Sequence, residues 1–68
     1  MKVEDIMNLL TPWQDVIIRK ENDTKLNEPL FERDATNIGA MPDKHCMNLT
    51  VCGIDASFGT IVLLISTQ

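Results

Sequence analysis

The sequence predicts an α+β domain: one short N-terminal helix packed on an antiparallel sheet of three to four strands, arranged as two hairpins. Three observations carry this. An apolar stripe at helical spacing occurs once, near the N-terminus. Two later segments, residues 15–33 and 45–67, read as paired strand-forming runs separated by turn residues. The 68 residues leave room for one domain, spanning 1–68.

Val3, Ile6, Met7 and Leu10 form the helical stripe, at i, i+3, i+4 and i+7. Glu4 and Asp5 occupy the first turn, where the helix dipole favours acids. Thr11-Pro12 ends the helix, since the residue before proline is pushed out of the α region. Trp13 follows and is expected to close the corner over the core, as large aromatics dominate small cores. Asp15–Lys20 reads as a strand with Val16, Ile17 and Ile18 in succession, and Glu21–Thr24 as a turn. Leu26, Leu30 and Phe31 lie around Pro29, which confines the second arm to an edge or a short piece. A short helical turn is expected near 34–39, capped by Asp34 and ended by Gly39. After a turn at Met41–Lys44, His45–Asp55 reads as a strand, Ala56–Gly59 as a loop and Thr60–Thr67 as the last strand.

Alternation sorts that last hairpin into two faces if Asp55 pairs with Thr60. One face holds Met47, Leu49, Val51, Val62 and Leu64, and is expected to lie under the helix. The other carries Ile54, Ile61, Leu63 and Ile65. One short helix covers one face, so the second set is expected either to be covered by the middle segment, residues 25–44, or to be a contact surface for a partner protein or a second copy of the chain. Asp15, Glu21 and Asp23, in the acid-rich stretch 15–34, are candidate partner-binding carboxylates.

Charge and chemistry narrow the function. Ten acids against six bases give a net charge of −4, which argues against direct nucleic-acid binding and against adhesion to anionic membranes. The apolar run Ile61–Ile65 is far short of the ~20 residues that span a bilayer, and no targeting segment is visible, so a cytoplasmic protein is expected. Cys46 and Cys52 are too few for a disulfide framework, and on a continuous strand they lie too far apart to bridge. His45, Cys46 and Cys52 have no standard zinc spacing, and His45 is badly placed to activate Cys46 on a strand. The three glycines are isolated, so no phosphate loop exists. A core this small is not expected to enclose the ~300 Å³ that ligand sites need. No enzyme, no cofactor and no metal is therefore the expectation.

The run VEDIMNLL, DVIIRKEND, PLFERDATNI and LTVCGI…GTIVLLI resembles small accessory proteins of phages and mobile elements of Gram-positive bacteria. Trp13, the His45-Cys46 pair and Pro29 depart from that pattern. The resemblance implies no catalytic residue. It implies a small protein that binds and inhibits or adapts another protein, with inhibitors of host defence effectors such as CRISPR enzymes among its neighbours. The alternative is a structural or regulatory homodimer with no foreign target, with or without contact to nucleic acid.

Overall fold

The computed structural model describes residues 1–22 and 29–66. Their order is α1 (Val3–Met7), β1 (Asp15–Lys20), β2 (Phe31–Arg33), α2 (Lys44–Met47), β3 (Val51–Ser57) and β4 (Thr60–Ile65). The strands form one sheet in the order β2-β1-β4-β3. The expected α+β class and its two hairpins are present. Between the hairpins, however, β1 and β4 pair in parallel, so the sheet is mixed rather than antiparallel throughout. These two central strands are the ones whose apolar residues run continuously, as strands covered by neighbours on both sides do. The broken, more polar strands lie at the edges.

The parallel register sets Val16 beside Ile61, Ile18 beside Leu63 and Lys20 beside Ile65. Side chains of neighbouring residues in a ladder share a face. Val16, Ile18, Leu63 and Ile65 therefore meet Val3, Ile6 and Met7 of α1 and Cys46 of α2 in one core. The expected face assignment is thus inverted. Leu63 (0% exposed) and Ile65 (2%) lie inside, and Ile61 packs half-buried against them. Val62 and Leu64, expected under the helix, lie half-buried on the other face with Ile17. The hairpin parity was right; the central position of β4, with β1 as its second neighbour, decides which side the helices cover. Val51 reaches the core side because a bulge at Cys52 shifts the register between Val51 and Gly53.

Two local expectations give way. Residues 34–39 form side-chain-locked turns instead of a helical turn: Asp34 Oδ1 accepts from the Thr36 N–H, and Asn37 Oδ1 accepts from the Asp34 N–H. The helical turn forms at Lys44–Met47, where a strand was expected, because Asp43 caps it by accepting from the Cys46 N–H at 2.8 Å. Cys46 and Cys52 consequently do not share a strand; both are free thiols, Cys46 buried and Cys52 exposed. At the other end of α2, Leu49 O accepts from the Val3 N–H, which ties the two helices to one side of the sheet.

Candidate binding surface

Parallel pairing has a geometric consequence. The N-terminal ends of β1 and β4 and the C-terminal ends of β2 and β3 all lie at one end of the sheet. The α1–β1 loop (8–14), the segment after β2 (34–41) and the β3–β4 turn (58–59) converge there. Side chains and backbone bind the three together. Arg33 donates from Nε to Gln14 O (2.9 Å), from Nη2 to Thr11 O (2.9 Å) and from Nη1 to Ala40 O (3.1 Å). Gly39 N–H donates to Pro12 O (2.9 Å), and Gln14 Nε2 reaches Gly59 O (2.7 Å). Gly39 can take this position because its φ is +82°, open to glycine.

Arg33 is buried, 2% exposed, and among the described residues its partners are carbonyl oxygens and the Met41 thioether, with no carboxylate. Among the described residues no buried side-chain nitrogen or oxygen lacks a partner. The planar guanidinium serves as a fork that fixes several loop carbonyls at once. On the core side of β2 a charged residue thus replaces the apolar one that alternation alone suggests.

The end held by this clamp is apolar on its outside. Leu9 (81%), Trp13 (69%), Ile38, Met41 and Phe58 (106%) are all exposed on its three loops. Trp13 therefore does not close the corner over the core: the half-buried Leu10 packs there, and Trp13, just past Pro12, turns outward. Phe58 is the first residue of a two-residue turn and holds φ +51°, with Gly59 at +81°. A two-residue hairpin prefers such a turn but takes Asn-Gly there; a bulky side chain in this region is strained. The loops at this end contain no Lys or Arg. Asp34 is exposed on them, and Thr36, by hydrogen bonds from its hydroxyl and N–H, holds the Asp34 carboxyl below its ordinary range. Asp15 stands half-buried at the start of β1.

The candidate residues read from sequence are not brought together. Ile54 is exposed on edge strand β3, while Leu63 and Ile65 are core and so form no contact surface. Asp15 and Glu21 lie at opposite ends of β1, and Asp23 lies outside the described residues. The loop-end set escaped sequence reading because its members are far apart in the chain. The one local signal was Phe58-Gly59, an aromatic where turn chemistry favours Asn.

At the opposite end, a cleft of about 400 Å³ opens between α2 and the ends of β1 and β4, lined in part by Lys20, Asp43, His45, Cys46 and Leu49. The expectation that so small a chain has no space of this size is overturned. Its chemistry is quiet: burial, and then the Asp43 carboxylate, push the Cys46 thiol up from its ordinary value, away from the thiolate. Among the described residues no group of three or more His, Cys, Asp or Glu is placed to hold a metal, and no helix is long and apolar enough to cross a membrane. Comparison with protein-family models, curated proteins and solved structures finds no match to this chain.

Proposed function

We propose that this chain is a small non-enzymatic module that binds another protein through the loop end, with Trp13 and Phe58 as anchors and Leu9, Ile38 and Met41 around them. The observation that carries the reading is the convergence of these exposed apolar side chains on three loops tied by Arg33 and Gln14. Loops whose backbone is already tied need less ordering on binding, so more of the area buried by their aromatics goes into affinity. The absence of Lys and Arg from these loops, with Asp34 and Asp15 beside them, suits a partner surface that is apolar at its centre and basic at its rim. Inhibition of a host enzyme, the role implied by the phage-protein resemblance, is one form such binding takes.

The test compares capture from a Gram-positive bacterial lysate by the tagged wild type, by Trp13→Ser/Phe58→Ser, and by Ile17→Ser on the outer sheet face. Circular dichroism checks that all three are folded. A protein retained stoichiometrically by the wild type and by Ile17→Ser, and lost by the loop variant, is the expected outcome. Equal capture by all three would overturn the assignment of the surface.

A further inference from the structure

We infer that the open edge of β3 is a pairing site for a second copy of this chain, kept shut by the charge of Asp55. This is independent of the loop-end reading. β3 is the longest strand and lies at the sheet edge, unlike the three-residue edge strand β2. Its first part is already covered: Lys2 bridges Thr50, and the Val51 N–H donates to Met1 O at 2.8 Å. Among the described residues, none bridges the outer edge of Gly53–Ser57 in this way.

The two-residue turn fixes which groups face outward. Ser57 and Thr60 close the hairpin as a hydrogen-bonded pair, so Asp55 also bonds toward β4, and the amides of Ile54 and Ala56 point away from the sheet. The outward Ala56 N–H is taken by Asp55 Oδ1 at 2.8 Å. Ile54 is 59% exposed beside it.

A second β3 fits this edge antiparallel in one register. Pairing Ile54 with Ala56 of the second copy, and the reverse, matches outward amides to outward carbonyls and sets each exposed Ile54 against an alanine. A register centred on Ile54 instead drives Ser57 of the second copy into Met1 at Val51. One centred on Ala56 pairs Ile54 with the turn residue Phe58, which is outside the strand. The fitting register puts Asp55 directly opposite Asp55 of the second copy, in the close, non-hydrogen-bonded type of pair where like charges repel. The same carboxylate also occupies the Ala56 N–H that the second copy needs. Asp55 thus opposes pairing twice, as edge-guarding charges do in sheet proteins.

Sedimentation equilibrium at neutral pH tests this. Asp55→Asn is expected to dimerise at least roughly tenfold more tightly than the wild type, the effect of removing one like-charge pair at ~5 Å near a protein surface. Ala56→Pro in the Asp55→Asn background removes the edge N–H and is expected to restore the monomer. Ile54→Glu in that background serves the same purpose where proline costs the fold, and Asp55→Ser replaces Asp55→Asn on the same ground. A folded Asp55→Asn that self-associates no more than the wild type overturns the inference. So does a dimer that survives both Ala56→Pro and Ile54→Glu.

Discussion

Replacing Arg33 with Met keeps a long apolar stem on β2 but removes every donor. Three carbonyls, of Thr11, Gln14 and Ala40, then lose their guanidinium partner. Thr11 O keeps the Gln14 N–H at 3.2 Å, so the cost falls mainly on Gln14 O and Ala40 O; leaving a buried acceptor unsatisfied costs about 1–3 kcal/mol, and water reaching the loops lowers that at the surface-near positions. Against this stands a gain, since the buried charge no longer has to be desolvated. A net loss of about 3 kcal/mol follows, comparable with breaking a buried ionic contact from one side. A domain of this size rarely has more than about 3–5 kcal/mol in hand. At about 4–8 °C per kcal/mol, the melting point should fall by at least about 12 °C. Arg33→Lys should lie between the two, because an ammonium keeps the charge but cannot match the fork. Thermal melts followed by far-ultraviolet circular dichroism read both; Trp13 fluorescence is a poor reporter, because the indole is already exposed. A melting point for Arg33→Met within about 4 °C of wild type would refute the clamp, on the same conversion.

Three other substitutions probe separate features. Leu63→Glu places a carboxylate at a fully buried site, losing about 1.5–3 kcal/mol of burial and adding the cost of a buried charge, so the chain should unfold rather than become a soluble monomer variant; a cooperative melt near the wild-type value would contradict the core assignment. The Cys52 thiol donates to Glu21 Oε2 at 3.0 Å, and that bond, with burial and the carboxylate's charge behind it, raises its pKa, so the thiol stays protonated at neutral pH and ionises only on the alkaline side. Glu21→Gln should therefore speed alkylation of Cys52 at pH 8, with buried Cys46 reacting more slowly in both proteins; an unchanged Cys52 rate would show that the carboxylate does not govern the thiol. Phe58→Asn relieves a left-handed conformation that costs an ordinary residue about 1–2 kcal/mol, so the melting point should rise while capture through the loop end weakens; a lower melting point would mean that Phe58 makes stabilising contacts within the chain.

What was legible in the sequence follows the range of each signal. The helix expected from Val3 to Leu10, the strand at Asp15–Lys20 and the hairpin expected over 45–67 come from periodicity and turn residues within a few positions; the structure has all three, with the helix ending at Met7 and the hairpin strands at Val51–Ser57 and Thr60–Ile65. The sorting of β4 into two faces was also local, and its parity holds because a two-residue turn and a four-residue loop around the same centre differ by an even number of residues. Which face is covered is not local. It depends on Ile18 lying beside Leu63, 45 positions away, in a parallel pair that no hairpin signal encodes. The strand expected from His45 gives way for a local reason: Asp43 is an N-cap residue type, and it caps α2 by accepting from the Cys46 N–H.

The same long-range pairing explains why the candidate surface was invisible while its residues were each in view. Trp13, Ile38 and Phe58 are separated by 25 and 20 positions, and each alone is an ordinary exposed apolar residue, which needs no explanation. Parallel alignment of β1 and β4 brings their three loops to one end, and Arg33 then has to be buried there to satisfy the carbonyls that those loops turn inward. Had β1 and β4 paired antiparallel instead, the 8–14 loop before β1 and the 58–59 turn before β4 would have stood at opposite ends of the sheet, and Trp13 and Phe58 with them. The buried guanidinium and the exposed aromatics are therefore two sides of one arrangement. On the proposed loop-end binding, the buried charge of Arg33 and the strained φ of Phe58, both unfavourable for folding alone, hold apolar side chains in water-facing positions, where a partner would cover them.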